Sequence, residues 1–330
     1  MSFKFKNDKA KAVLIATLMS LASIIIILKF TEANFSWKLI SQIQIGFLAL
    51  GLFLHMLSWV FYAVRLKLLA SLAGHKISFR LSLISTLASN FLAALTPSSA
   101  GGEPLRIKIL ADDGMSYGSA TAVAVGERLL DSIFFVAALA LFLIFSNFLT
   151  GFGLKIGAFF IVLLVLLLAF LWQLVHRPER IAGFMAWLKK KTGNRPLIYS
   201  LEKEIWLFRE AGIHLARETL RCTPVMAALT ALIWMCDFLV PSALLVGMGA
   251  EPRFLLSITS QIILAIIAIL PLTPGGSGVA ELSMSYLYSM FVSPVLLGPL
   301  VILWRASTYF SNIVVGAAFA GASINSMMKK

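Results

Sequence analysis

The sequence contains little charge and almost no cysteine. Only 13% of its 330 residues are Asp, Glu, Lys or Arg, whereas 59% are hydrophobic. A soluble domain of ordinary composition carries about 25% charged residues, so that class is excluded. Runs of roughly 17–25 apolar residues are long enough to cross a bilayer, and several such runs follow one another along the chain. The composition therefore predicts a polytopic membrane protein.

The residue patterns of common metal sites and active sites are missing as well. Cys222 and Cys236 lie on one predicted helix about 21 Å apart, which is too far for a disulfide. The four histidines form no H-E-x-x-H or comparable set, and no C-x-x-C pair occurs. The sequence also lacks a Ser/His/Asp set and an ATP-binding loop. We therefore predict no metal, no cofactor, no catalytic residue and no enzymatic activity.

The formal net charge is +13 at pH 7. A nucleic-acid-binding protein can have such a charge, but Lys and Arg also collect on the cytoplasmic side of membrane proteins. The membrane explanation fits the composition, so we expect no nucleic-acid partner. Most basic residues lie in residues 1–11, 65–80, 176–221 and at the C-terminus. We place all four segments in the cytoplasm, with the protein in a bacterial inner membrane and both termini cytoplasmic.

Uncharged runs of helical length predict where the chain crosses the membrane. We expect spans over residues 12–28, 43–64, 118–149, 154–175, 223–248 and 295–324. The first run is long for a signal peptide and has no clear cleavage site, so we expect a retained helix. Residues 81–117 and 254–291 are predicted to be hairpins that return to the side they entered from. The first hairpin enters from the cytoplasm and the second from outside.

Charged and apolar residues alternate through residues 176–221. This pattern is typical of amphipathic helices that lie on a membrane surface. A solvated helical loop has the same pattern, so both alternatives stay open. Either one places the segment on the cytoplasmic side.

Two stretches rich in proline and glycine interrupt the apolar pattern where a helix would otherwise continue. They contain Thr96, Pro97, Gly101 and Gly102 in the first half, and Thr273, Pro274, Gly275, Gly276 and Gly278 in the second. Proline and glycine break helices and free backbone N–H and C=O groups. In lipid, such backbone persists only when it is buried in protein or lines a water-filled cavity.

The two stretches belong to a predicted internal repeat. One constant offset aligns Thr96 with Thr273 and also Arg128 with Arg305. We predict repeat units over residues 81–149 and 258–326. Because their hairpins enter from opposite sides, the units are inverted, a recurring plan in secondary transporters. The alternative, two unrelated kinks, does not explain the matching arginines.

Several charged residues lie inside the predicted spans and hairpins. A charge at the centre of a membrane costs at least ~2.5–3.5 kcal/mol unless it faces a cavity or a partner. They either line a polar substrate pathway or form internal salt bridges. The candidates are Glu103, Arg106, Glu127, Arg128, Asp131, Asp237, Glu281 and Arg305.

The helix starts after the two turns favour an anionic ligand. Helix N-termini with a nearby arginine suit a phosphate group. Glu103 and Glu281 could instead cap those helix starts. The predicted substrate-binding residues are Arg128, Arg305, Arg106, Glu103, Glu281, Asp131 and Asp237, together with the nine threonines, prolines and glycines named above for the two turns.

Three motifs together resemble the flippase-like transmembrane domain of lysylphosphatidylglycerol synthases. They are the sequence Gly101-Gly102-Glu103-Pro104-Leu105-Arg106, the sequence Glu127-Arg128-Leu129-Leu130-Asp131, and the stretch from Pro274 to Glu281. The resemblance covers essentially the whole chain. It implies a domain that moves an aminoacylated phospholipid, whereas a separate soluble domain makes the lipid. No such domain follows Lys330 in this sequence, so synthase activity is not implied. The first turn differs in sequence from the second because its residues Ser98, Ser99 and Ala100 include no glycine.

We therefore predict an all-α polytopic membrane protein with an inverted repeat and two broken-helix hairpins, forming one domain over residues 1–330. Its predicted function is to translocate an anionic phospholipid or lipid-linked molecule. The alternatives are a secondary transporter of a small polar solute and an accessory membrane subunit of a lipid-modifying system. The expected partners are the lipid substrate and the surrounding membrane lipids, and a homodimer stays open.

Overall fold

All regular elements in the described part of the chain are helices. The computed structural model describes residues 40–96, 101–146, 150–192, 196–268, 273 and 276–327. The predicted span over residues 12–28 and both chain termini lie outside the described residues. The described helices are α1 (Ile45–Leu72), α2 (Phe79–Leu95), α3 (Gly102–Asp112), α4 (Tyr117–Ser146), α5 (Thr150–His176), α6 (Pro178–Thr192), α7 (Pro196–Arg221), α8 (Thr223–Gly247), α9 (Phe254–Ala268), α10 (Val279–Tyr288), α11 (Pro294–Arg305) and α12 (Ser311–Met327), with a π-helical turn at Ala306–Phe310 between the last two.

Five of the described helices are long and apolar enough to cross a bilayer. They are α1, α4, α5, α8 and the continuous helix formed by α11, the π-helical turn and the start of α12. In α5 only 6% of the most apolar stretch is buried within the protein, so this helix presents its surface to lipid. The prediction of an all-α polytopic membrane protein is confirmed.

One predicted boundary is wrong. We expected the second span to end at residue 64 and Arg65 to begin a cytoplasmic loop. Instead α1 continues to Leu72, and the side chain of Arg65 on this helix is fully buried in the protein. This charge can be buried because carboxylates from another helix neutralise it, as described below.

The first predicted hairpin is formed by α2 and α3. At its closed end, a Cβ on Gly102 would lie 2.9 Å from the carbonyl oxygen of Ser89, so the two helices touch there. At its open end, His75 Nε2 lies 3.0 Å from Asp113 Oδ2. His75 precedes α2 and Asp113 follows α3. The chain therefore returns to the level at which the hairpin began.

The second predicted hairpin is formed by α9 and α10. The hydroxyl of Tyr288, at the end of α10, lies 2.8 Å from the hydroxyl of Ser257 near the start of α9. It also accepts a hydrogen bond of 3.1 Å from Gln261 Nε2. The two helices are therefore antiparallel as well. The inverted relation between the two halves, and the repeat bounds 81–149 and 258–326, stay predictions.

The segment predicted to be amphipathic, residues 176–221, forms α6 and α7. Helix α7 packs against α4, where the backbone N–H of Gly118 donates to Glu204 Oε2 at 2.6 Å. Lys189 of α6 donates to Glu202 of α7 at 2.6 Å. The segment is thus docked on the helical bundle, and its position on the cytoplasmic side stays a prediction.

The main apolar core joins α8 to the second hairpin and to α11. Leu244, Ile262, Ile263, Met284 and Leu300 are completely or almost completely buried in it. Lipid tails are as apolar as these side chains, so in a bilayer the core is stabilised by close van der Waals packing rather than by removal from water. This core holds α10 and α11 in the positions that bring Glu281 and Arg305 together.

Substitution of Gly118 tests the contact between α4 and α7. A Cβ at this position would overlap the carbonyl oxygen of Glu204 and lie 2.6 Å from the backbone nitrogen of Phe208. Gly118→Ala is therefore expected to destabilise the protein by about 1–3 kcal/mol, the usual cost of overpacking, as measured by unfolding in detergent. Gly212→Ala in α7 is the control because nothing lies within 4 Å of its Cβ. Equal stability of the two variants would contradict this packing.

Candidate functional site

A polar cavity of about 300 Å³ lies between the first hairpin and the surrounding helices. Five charged side chains and a histidine, from five helices, line it: His55 of α1, Glu103 and Arg106 of α3, Arg128 of α4, Asp237 of α8 and Arg305 of α11. Four of the predicted intramembrane charges, Glu103, Arg128, Asp237 and Arg305, also line a second cavity of about 600 Å³ that adjoins the first.

Arg305 and Glu281 form a sealed ion pair in the second half of the chain. Arg305 Nε donates to Glu281 Oε1, and its Nη2 donates to Oε2, both at 2.9 Å. Their side chains are 5% and 0% exposed. Glu281 Oε2 also accepts the backbone N–H of Gly278 at 2.7 Å, which caps α10. Glu281 is therefore both a helix cap and the partner of Arg305.

Arg128 and Glu103 form the corresponding pair in the first half. Arg128 Nε lies 3.2 Å from Glu103 Oε1, and its Nη1 lies 3.3 Å from Asp131 Oδ2. The Arg128 side chain is 44% exposed and that of Glu103 is 33% exposed. In both halves a carboxylate in the first turn of the hairpin's second helix binds an arginine of the next helix. The first pair, however, is open to the cavity.

Arg65 joins α1 to the acidic face of α4. Its Nη1 donates to Asp131 Oδ1 at 2.7 Å, and its Nε lies 3.8 Å from Glu127 Oε1. Glu127 also accepts from Arg106 Nη1 at 2.6 Å. Trp234 Nε1 donates to Asp131 Oδ1 at 2.9 Å. Asp131, Arg106 and Glu127 thus form internal salt bridges. Arg106 also lines the polar cavity and Asp131 the larger one, so substrate contact by these two residues stays a prediction.

His55 and Asp237 form a further pair on the cavity wall. His55 Nδ1 lies 2.7 Å from Asp237 Oδ1, and their side chains are 6% and 23% exposed. The His55 ring also meets the Trp59 ring edge-on, with centroids 5.0 Å apart. Asp237 was predicted as a site residue and lies in the cavity.

Sequence reasoning missed Arg65 and His55. Arg65 was assigned to a loop, and the histidines were considered only as metal ligands. The count of charged residues in the predicted spans and hairpins could have indicated both residues. The predicted intramembrane carboxylates outnumber the predicted arginines, so buried cations had to come from residues near the span ends or from a histidine.

In the first turn, the predicted site residues shape the backbone at the cavity. The Thr96 hydroxyl accepts the backbone N–H of Gly101 at 2.9 Å. A Cβ on Gly101 would lie 2.6 Å from the Thr96 methyl group, so only glycine fits there. Gly102 lines the polar cavity. Pro97 lies outside the described residues.

In the second turn, glycine is required by the backbone itself. Gly276 and Gly278 have φ values of +68° and +89°, a region that residues with a Cβ rarely adopt. Gly276 lines the larger cavity, and its N–H donates to the carbonyl oxygen of Thr273 at 3.2 Å. Pro274 and Gly275 lie outside the described residues.

The larger cavity is apolar where it approaches lipid. Its walls away from the charged residues include Phe135, Phe160, Leu163, Leu164 and Leu167. Four of these belong to α5, and two of the four, Leu163 and Leu167, are exposed on its surface. A charged chamber therefore adjoins an apolar one beside a helix that faces the membrane. This combination suits a molecule with a polar head and an apolar tail.

Comparison with known proteins identifies relatives across almost the full chain. Residues 11–316 match the family model described as the lysylphosphatidylglycerol synthase TM region. A UPF0104 membrane protein of Archaeoglobus fulgidus is 40% identical over 317 residues, which cover 94% of this chain and 97% of that protein. A UPF0104 membrane protein of Pyrococcus horikoshii is 23% identical over 302 residues, which cover 85% and 90%. No solved structure matches significantly.

Removal of the Arg65 charge tests the buried network. Arg65→Met leaves Asp131 and Glu127 without one of their cations, so we expect a loss of about 3–5 kcal/mol of stability. The double variant Arg65→Met/Asp131→Asn is expected to recover part of this loss because it also removes a buried negative charge. Unfolding in detergent measures both effects.

The matched control is Lys67→Met, since Lys67 is an exposed residue of the same helix. Its stability should stay within about 0.5 kcal/mol of the parent protein. If Arg65→Met were as stable as Lys67→Met, the network would not depend on Arg65.

Proposed function

Because the chain belongs to the family of the lysylphosphatidylglycerol synthase TM region, we propose that it translocates an anionic phospholipid or lipid-linked molecule across the membrane. The observation that carries this proposal is the junction of the two cavities. Glu103, Arg128, Asp237 and Arg305 line both of them. An amphiphile at this junction would have its headgroup among charged residues and its chains among apolar ones.

Arg128 is the proposed contact for the headgroup. Arginine binds phosphate oxygens with two parallel N–H donors, and the Arg128 side chain is 44% exposed beside the cavity. Its Nε lies 3.2 Å from the partly exposed Glu103. An incoming phosphate would take over Arg128 from Glu103, and departure of the phosphate would restore the ion pair. Such an exchange keeps Arg128 neutralised throughout.

The proposed role of Arg305 is more structural than that of Arg128. It lines both cavities, yet Glu281 holds it by two hydrogen bonds and shields it from solvent. The rings of Trp304 and Tyr309 lie 5.0 and 4.8 Å from its guanidinium carbon. We propose that Arg305 contributes positive potential to the headgroup site while it fixes α11 to α10.

The helix after Arg305 contains a feature suited to movement. Residues Ala306–Phe310 form a π-helical turn, and two of them, Thr308 and Tyr309, line the polar cavity. Such turns interrupt the regular hydrogen-bond ladder and occur frequently at functional sites. We propose that the helices flex here as the two halves rock against each other, exposing the headgroup first to one side and then to the other.

One observation favours a second candidate function. The polar cavity alone, at about 300 Å³, has the volume of a site for a small polar solute. A secondary transporter would use this chamber without the apolar cavity. Lipid translocation should therefore depend on the residues that line the larger cavity, whereas solute transport should not.

Arg128→Gln tests the headgroup contact. Hydrogen bonds to charged groups contribute about 1.5–3 kcal/mol, so we expect translocation of labelled phosphatidylglycerol in reconstituted liposomes to slow roughly 10–100-fold. Lys108→Gln is the control because Lys108 is an exposed residue of α3 paired with Asp112. Undiminished translocation by folded Arg128→Gln would remove Arg128 from the mechanism.

Leu164→Trp separates the two candidate functions. The larger side chain would fill part of the apolar cavity that Leu164 lines, so we expect lipid translocation to slow several-fold. Leu166→Trp is the matched control, since Leu166 lies on the lipid-facing surface of the same helix. Uptake of a water-soluble substrate that neither variant affects would favour the solute transporter instead.

A further inference from the structure

The pair formed by His55 and Asp237 has no part in the mechanism described so far. It lies on the wall of both cavities, with 2.7 Å between His55 Nδ1 and Asp237 Oδ1. The Nε2 atom of His55 is buried and has no hydrogen-bond partner among the described residues. A buried polar atom without a partner is uncommon in a folded protein. Here it belongs to a ring that lines a substrate-sized cavity.

The charges around this pair are otherwise balanced. Arg128 and Arg305 each contact a carboxylate of their own half. The titratable and charged groups near His55 are Asp237 of α8, Glu103 and Arg106 of α3, Arg128 and Asp131 of α4, Arg305 of α11, Tyr309 of the π-helical turn and Tyr62 of α1 itself; α12 contributes only the neutral Asn312. Protonation of His55 would therefore change the net charge of the cavity.

The hydrogen bond to Asp237 determines what His55 can offer a ligand. A carboxylate accepts hydrogen bonds, so Nδ1 carries the proton and donates it. In the neutral ring, Nε2 is then only an acceptor and cannot bind a phosphate oxygen, which is itself an acceptor. In the protonated ring, Nε2–H becomes a donor. The pair also changes from a charge of −1 to zero, which removes its repulsion of an anion.

We propose that His55 and Asp237 form a proton-binding site, and that one proton binds there together with each anionic headgroup. This inference rests on the lipid translocation proposed above and adds a coupling ion to it. Histidine is the side chain whose ordinary titration falls between about pH 5 and 8. Proton binding and headgroup binding strengthen each other by linkage. A pH difference across the membrane would then drive net lipid movement in the direction of proton flow.

Liposomes that contain the full-length protein and labelled phosphatidylglycerol provide the test. The phosphodiester of this lipid keeps its charge between about pH 5 and 8, so the cargo itself does not titrate over the range in which histidine does. Translocation by the parent protein is expected to fall about tenfold or more as the pH rises through this range. With a pH step across the membrane, an internal pH-sensitive dye should report proton movement that requires the lipid.

Two substitutions in the pair separate its roles. His55→Gln keeps hydrogen-bonding capacity but cannot be charged, so its translocation should no longer depend on pH and its lipid-dependent proton movement should disappear. Asp237→Asn keeps the histidine but removes the carboxylate that favours the imidazolium. Its pH dependence should remain and shift to lower pH.

The control is His75→Gln. His75 forms the same kind of pair with Asp113, 3.0 Å apart, but at the open end of the first hairpin and partly exposed. It should keep the parental pH profile.

The outcomes distinguish this inference from the function on which it rests. Absence of lipid movement by the parent protein at any pH would overturn both. Lipid movement with the same pH profile in the parent protein and His55→Gln would overturn the proton site alone. If His55→Gln does not fold, Asp237→Asn decides, because an unshifted profile would overturn the proton site.

Discussion

The pairing of charges inside the membrane is the constraint on which the structure depends. An ionised side chain without a partner is too costly to bury in a low-dielectric interior. Arg65, in the last third of α1, can therefore be buried because α4 presents Asp131 and Glu127 to it. Arg106 brings α3 to Glu127, one of these two carboxylates. The ion pairs thus link α3 of the first hairpin to α4, and α4 to α1.

The two halves of the chain use a similar ion pair in different ways. In the second half, Glu281 and Arg305 are almost completely buried and Glu281 also caps its helix. In the first half, Glu103 and Arg128 stay partly exposed beside the cavity. A sealed pair stabilises a hairpin, whereas an open pair can exchange partners with a ligand. The difference assigns anchoring to the second half and headgroup contact to the first within the proposed mechanism.

The two cavities lie side by side, and this connects the charged residues of the polar cavity with the lipid-facing surface of the protein. The polar chamber needs the hairpin turn at Gly102 and the helix interruption after Arg305, because both lie on its wall. The apolar chamber needs α5, a helix with little buried surface of its own. A soluble protein would not retain such a helix, since its exposed leucines would have to be covered. In a bilayer the same surface faces lipid, and in the proposed mechanism it gives the lipid substrate access to the site.

The sequence by itself determined the class of protein, most of the spans, both helix hairpins and several of the charged residues that line the cavities. Length and hydropathy decide these features because each crossing must satisfy its own backbone hydrogen bonds. The matching positions of Arg128 and Arg305, and the near-match of Glu103 and Glu281 one residue out of register, were also visible in the chain. Only the tertiary structure decided which charges are paired and which are open, and it placed His55 on the cavity wall and Arg65 in ion pairs with Asp131 and Glu127. Their partners lie far away in sequence, and periodicity specifies which face of a helix a residue occupies but not which residue it meets there.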